Sequence, residues 1–218
     1  MRQSIKDFVR LAARTLPLPE PIYEFGSLQV EGQEGFADLR VFFTGKEYVG
    51  ADMRPGPGVD VVLNLHHLEL ADETVGAALI MDTLEHVEYP RRALQEAYRV
   101  LKPQGVLLLS SVMNYPIHDH PYDYWRFTPE GFRSLLQAFP CVLVDFAGDP
   151  AFPRTVLGLG CKGTLPEEAL RRFQEGLADW KLQHSVEEHK PFLKQAKEMV
   201  VPPGLRLLWR KLRRTLGR

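Results

Sequence analysis

Nine consecutive residues, His118-Asp119-His120-Pro121-Tyr122-Asp123-Tyr124-Trp125-Arg126, hold titratable, aromatic and cationic side chains more densely than a plain linker does. Imidazole exchanges a proton near neutral pH. His118 or His120 is therefore a candidate general base, with Asp123 as the carboxylate that orients it. Arg126 offers a planar fork of donors to an anionic or polar ligand, and Tyr124 is a contact surface beside it. The structural alternative is that Asp123 and Arg126 pair with each other while Tyr124, Trp125 and Phe127 cover the site.

A second set of residues stands where short apolar runs end: Gly26, Asp52, Asn64 and Met81-Asp82. Gly26 lets a ligand approach the backbone closely. Asp52, 26 positions further on, suits a carboxylate that accepts hydrogen bonds from ribose hydroxyls; otherwise it is a turn residue before Met53-Arg54-Pro55. The Asn64 amide, both donor and acceptor, matches an adenine edge or simply turns the chain.

The elements that must position these groups alternate. Residues 4–15 carry Ile5, Phe8, Val9, Leu11 and Ala12 at helical spacing, with Ser4 and Asp7 as the start of a cap. Strands are expected at 21–25, 47–52, 59–64, 77–81 and 106–112, the last two as continuous apolar runs buried on both faces. A short helix fits 35–43, and the two prolines and two glycines of 53–58 make a rigid loop. Pro90 opens a helix over 90–101, which Lys102-Pro103-Gln104-Gly105 ends. Thr128-Pro129 caps a helix over 128–138. Strands near 141–147 and 154–160 are joined by too short a connection for a helical crossover, so the last strand is expected to run antiparallel. From Leu165 the pattern is helical, broken at Pro191 and Pro202-Pro203.

This alternation predicts an α/β fold. The expected sheet is doubly wound, mainly parallel and seven-stranded, with an antiparallel last strand. One domain over 1–163 is expected, with a C-terminal helical extension over 164–218. Ligands in such sheets bind beyond the carboxyl ends of the strands, where the second set of residues lies.

Composition narrows the setting. A net charge of −1 gives no field that would draw nucleic acid, so no nucleic-acid partner is expected. Two cysteines make no disulfide framework, and seven histidines without a Cys-x-x-Cys pair argue against a structural zinc site. No apolar stretch has the length of a signal core or a membrane span, so a cytoplasmic location is expected. The segment 205–218 has six basic and no acidic residues. Leu205, Leu208, Trp209, Leu212 and Leu216 form its apolar face, which suits packing on the domain, self-association or a peripheral membrane contact.

The run MDTLEHVEYPRRALQEAYRVLKPQGVLLLSS over 81–111 resembles the second half of a class I S-adenosylmethionine-dependent methyltransferase domain. Leu-Glu-His-Val at 84–87 and Arg-Val-Leu-Lys-Pro-x-Gly at 99–105 carry the likeness. YEFGS (23–27) is similar to that family's first cofactor motif, and 47–70 to its second and third. The family's Gly-x-Gly-x-Gly loop is here Gly26-Ser-Leu-Gln-Val-Glu-Gly32, with only the first and last glycines in place.

The resemblance implies a Rossmann-like fold and S-adenosylmethionine as cofactor. It implies that Gly26 and Ser27 lie against the methionine part, with Glu24 anchoring the loop. Asp52 takes the ribose hydroxyls, Met53 lies on the adenine face, and Asn64 and the Leu65 backbone stand near the adenine amino group. Met81 and Asp82 lie near the sulfonium. Similar methyltransferases carry a run like 118–129 at the acceptor pocket, which implies catalytic His118, His120 and Asp123 and substrate-binding Tyr124 and Arg126. The expected activity is methyl transfer to oxygen of a small-molecule or saccharide-type acceptor. A degenerate Rossmann-like binding or scaffold protein is one alternative, and a nicotinamide-dependent reductase another, although G-x-G-x-x-G is absent from the first turn. A metal at Asp82, Glu85 and His86, completed by His118 or His120, is a further alternative. The expectation adopted is no metal, with Glu85 and His86 serving structure.

Overall fold

Val75–Met81 and Leu101–Val112 hold the middle of the molecule because both of their faces are apolar. In a computed structural model, which describes residues 1–30, 32, 35–118 and 121–187, every residue of 75–81 is buried. Alternation along the strand divides it between two layers. Ala77, Leu79 and Met81 enter one core cluster, and Val75, Ala78 and Ile80 enter the other.

Seven strands form one sheet: β1 (Ile22–Phe25), β2 (Tyr48–Asp52), β3 (Val61–Val62), β4 (Val75–Met81), β5 (Leu101–Val112), β6 (Cys141–Asp149) and β7 (Phe152–Cys161). Their order is β3-β2-β1-β4-β5-β7-β6. The strands β1 to β5 run parallel, and β7 lies antiparallel between β5 and β6. The last strand is thus antiparallel, as the short 149–152 turn demands. Strand β1 pairs with both β2 and β4, so the order reverses there and a cleft opens at the carboxyl ends.

Helices α1 (Gln3–Thr15), α2 (Pro90–Val100), α3 (Pro129–Leu135) and α4 (Glu167–Glu187) cover the two faces. Helix α2 starts with Pro90 at its first turn and buries Ala93, Leu94, Ala97 and Val100. Thr128 caps α3 by accepting from the Gly131 N–H at 3.0 Å. On the other face α1 buries Ile5, Phe8, Val9 and Ala12. There Phe8 meets Phe173 and Trp180 of α4 edge-on, at ring-centroid distances of 6.0 and 6.4 Å.

Four local expectations are corrected. Residues 35–43 form no α-helix, only a 3-10 turn at Arg40–Phe42. The run 59–64 pairs as a strand only at Val61–Val62, because Asp60 is drawn to the Gly50 N–H and Arg40 and Asn64 turns back to bridge His67. Strand β5 begins at Leu101, where α2 ends, so 102–105 belong to the strand. Helix α1 has no side-chain cap: Ser4 is buried inside it, and Asp7 pairs with Arg10 at 2.7 Å and lies 3.2 Å from His184. Pro191, Pro202-Pro203 and the basic segment 205–218 lie outside the described residues. No described helix is long and apolar enough to cross a membrane.

Candidate active site

At the end of β1 the chain turns through Gly26 at φ +90°, a conformation that favours glycine. A Cβ there would also overlap the Thr83 hydroxyl. The Gly26 and Ser27 N–H groups both donate to the Ala51 carbonyl, at 2.8 and 3.1 Å, which ties the turn to the end of β2. Glu24 lies beneath, almost wholly buried, and accepts from the Tyr48 hydroxyl at 2.6 Å. Burial pushes its carboxyl up to about 7, against the lowering effect of that hydrogen bond.

The turn forms one wall of a shallow, open cleft. Phe25, Ala51, Leu63, Leu65 and Val87 supply apolar walls, and Asp52, Asn64, His66 and His86 supply polar groups, with Gly26, Met53 and Arg54 alongside. Asp52 is oriented by backbone donors: Oδ1 accepts from Arg54 N at 2.9 Å and Oδ2 from Leu28 N at 3.4 Å. Each oxygen keeps a second lone pair. Asn64 Oδ1 accepts from His66 N at 2.9 Å, which leaves its amide NH₂ available. Met53 stands exposed at the rim.

A second, open cleft lies beyond the end of β4 and is lined by Met1, Arg2, Phe36, Asp82, Glu85, Val112, Tyr115 and His118. Asp82, at φ +46°, receives Arg2 at 2.9–3.1 Å and the Ser110 hydroxyl at 2.8 Å. Glu85 is fully buried on the 3-10 turn Leu84–His86. Its Oε2 accepts from the Ser111 hydroxyl at 2.7 Å, while Oε1 has no partner. Burial foremost, then the neighbouring Asp82 charge, pushes the Glu85 carboxyl up to about 8.

His118 is held at Nδ1, which lies 3.1 Å from Asp123 Oδ2 and 3.2 Å from the Pro116 carbonyl. Its backbone N–H donates to the same carboxylate at 2.8 Å. Arg126 grips Asp123 at 2.6 and 2.7 Å and so holds its carboxyl well below the usual carboxylate range. Asp123 thus lies against both the ring and the backbone N–H of His118.

The structure brings Gly26, Asp52, Met53, Asn64 and Leu65 to one cleft and Asp82 and His118 to the other. Three of the expected site residues stand apart from both clefts. Met81 buries its side chain in the core and lines neither cleft. Arg126 spends its donors on Asp123 and on the carbonyls of Tyr115, Pro116 and Trp125, so it positions the loop and is not free to anchor a substrate. Tyr124 is exposed outside both linings, its N–H donating to the Glu85 carbonyl at 2.8 Å. Ser27 is buried with its hydroxyl unpartnered, just behind the cleft. His120 lies outside the described residues. Sequence reasoning missed Arg2 and Tyr115 in the second cleft and His66 in the first. No local signal marks Arg2, whose partner is 80 positions away.

A family model described as a methyltransferase domain matches residues 44–109. A ubiquinone/menaquinone biosynthesis C-methyltransferase, UbiE, of Bartonella henselae is 38% identical over 74 residues. That match spans 33% of this chain and only 28% of the relative. Among solved structures, an S-adenosylmethionine-dependent methyltransferase from Archaeoglobus fulgidus aligns with a TM-score of 0.56 at 14% identity, over 74% of this chain and 95% of that one. The trans-methyltransferase CalH, solved with S-adenosylhomocysteine, aligns with a TM-score of 0.51 at 15% identity, over 72% and 55%.

Proposed function

We propose that this chain is a class I S-adenosylmethionine-dependent methyltransferase that transfers a methyl group to an oxygen of a small-molecule or saccharide-type acceptor. The observation that carries the reading is the first cleft, where Gly26, Asp52 and Asn64 meet at the sheet's switch point between apolar walls. That donor set fits an adenosyl group. Asp52 has lone pairs left for two ribose hydroxyls, Asn64 and the Leu65 backbone suit the adenine edge, and Met53 suits its face. The Gly26 turn has a bare backbone where the methionine portion would lie.

S-Adenosylmethionine supplies an already activated methyl carbon. The chain's own task is therefore alignment, which alone can account for about 7–11 kcal/mol of a barrier. In this reading the second cleft takes the acceptor. His118, its Nδ1 proton held by Asp123, turns the Nε2 lone pair to activating the acceptor oxygen. Arg2 on Asp82 must yield or share that carboxylate when the acceptor enters.

Calorimetry with S-adenosylhomocysteine and a radiolabelled-methyl assay on cell extract test this. Asp52→Ala should weaken binding at least ~10-fold, about the loss of one charge-assisted hydrogen bond. His118→Ala should bind it as the parent does but lose methyl transfer. Normal binding by Asp52→Ala would refute the site assignment. A protein that binds the ligand and methylates nothing would favour the scaffold reading.

A further inference from the structure

We propose that Glu85, His86 and His118 hold a divalent cation at the boundary between the two clefts, a two-nitrogen, one-oxygen site of the kind that suits zinc, cobalt or iron. One ligand atom from each of the three residues lies within 4.8 Å of the others. His86 lines the first cleft, while Glu85 and His118 line the second. A cation held by all three would therefore stand beside the point where acceptor and cofactor meet.

The second observation is the stranded oxygen of Glu85. This carboxylate is 0% exposed, and its Oε1 has no hydrogen-bond partner. Burying a charge without a partner is costly, and its neighbours are provided for: Asp82 has Arg2 and Asp123 has Arg126. Among the described residues no Lys or Arg forms an ion pair with Glu85. A cation on Oε1 supplies what this carboxylate lacks.

The imidazoles are arranged to receive it. His86 Nδ1 lies 2.7 Å from the Tyr122 carbonyl, and His118 Nδ1 faces the Asp123 carboxylate and the Pro116 carbonyl. Those oxygens only accept, so Nδ1 carries the proton on both rings and each Nε2 keeps its lone pair. A carboxylate or carbonyl behind a ligating histidine is the usual outer shell of a metal site, and it raises the basicity of the ligand. The two rings stand edge to face, 4.8 Å apart. The ligand atoms, spread over as much as 4.8 Å, must draw in toward the ~3.3 Å between ligands bound at ~2.0–2.1 Å around a tetrahedral centre. Closing the site takes a small inward shift of His118, the more exposed of the ligands at 35% of its side chain, with Nδ1 kept on Asp123. The sequence offers Asp82, Glu85 and His86 with His118 or His120 as a metal set; the fold strands one Glu85 oxygen, gathers Glu85, His86 and His118, and gives Asp82 to Arg2 instead.

What the cation would do rests on the proposed methyl transfer: with His118 Nε2 engaged as a ligand, the cation takes over from it as activator, and ligating the acceptor hydroxyl lowers its pKa so that its proton leaves to water before the oxygen attacks. Whether the cation binds does not depend on that reading. The competing account keeps a proton on Glu85 Oε1 and needs no metal. Chelator-stripped full-length protein titrated with Co²⁺ alone, read by visible absorption, separates the two. The wild type should take up one equivalent and show bands of nitrogen- and oxygen-ligated cobalt. Glu85→Gln and His118→Ala should each weaken uptake at least ~10-fold, whereas Glu130→Gln on the exposed surface should not. No saturable uptake by the wild type, or wild-type uptake by both variants, would overturn the proposal. If circular dichroism finds Glu85→Gln unfolded, the more exposed His118→Ala decides. S-Adenosylhomocysteine calorimetry on the same samples keeps the two readings apart: cobalt-blind wild type that binds the nucleoside ends the cation and spares the methyltransferase reading, and the reverse pattern does the opposite.

Discussion

Glu24 shows how one buried carboxyl can couple the cofactor cleft to pH. It sits under the Gly26 turn, bonded to Tyr48 at 2.6 Å, and burial raises its carboxyl to about 7. Its unfolded value lies near 4.3, so between the two values the folded state binds more protons than the unfolded one. Stability must then fall as pH rises through that window. The contribution is full below about pH 4 and lost above about pH 7, on the order of 3 kcal/mol for a shift of this size. Glu24→Gln keeps an acceptor for the Tyr48 hydroxyl and removes the titration. Urea denaturation of parent and variant from pH 4 to 8 should show the variant gaining on the parent as pH rises. A constant difference across that range would show that Glu24 is ionised throughout.

At the scale of elements, the contact between α1 and α4 makes α4 part of the same core. Phe8, Phe173 and Trp180 interlock there, and the Trp180 indole N–H donates to the Ser4 carbonyl at 2.7 Å. Trp180→Ala should cost about 3–5 kcal/mol, read as a lower denaturant midpoint, while S-adenosylhomocysteine affinity stays that of the parent because the cleft lies across the sheet's carboxyl ends. How legible each element is in the sequence follows from its packing. Strands β4 and β5 announce themselves because both faces are buried, and α2 and α3 because Pro90 and Thr128-Pro129 mark their starts. Strand β3 shrinks to Val61–Val62 because Asp60 serves Gly50 and Arg40, a tertiary demand that alternating valines do not reveal. Asp52 and Asn64 were readable as strand-end residues by position alone. In the second cleft Asp82, Glu85 and His118 were readable in the sequence, but their partners Arg2, Ser110 and Ser111 were not, because they come from far away along the chain.

For the whole molecule, the open clefts at the switch point imply that ligand binding and stability are linked. A ligand that binds only the folded state stabilises it by about 2.7 kcal/mol at 100 times its Kd. In a domain of 150–250 residues, 1 kcal/mol moves Tm by roughly 2–4 °C. S-Adenosylhomocysteine at that excess should therefore raise Tm by roughly 5–11 °C. The gain passes through Asp52, whose carboxylate is already oriented by Arg54 and Leu28 N–H groups and so loses little freedom on binding. At the same ligand concentration Asp52→Ala should keep only a small part of the shift. NAD should raise Tm little in either protein, because the Gly26–Gly32 turn lacks the closely spaced glycines that let a pyrophosphate reach the backbone. A larger shift with NAD than with the sulfur ligand would mean that the switch-point cleft serves a dinucleotide, and the methyltransferase assignment of this chain would fail with it.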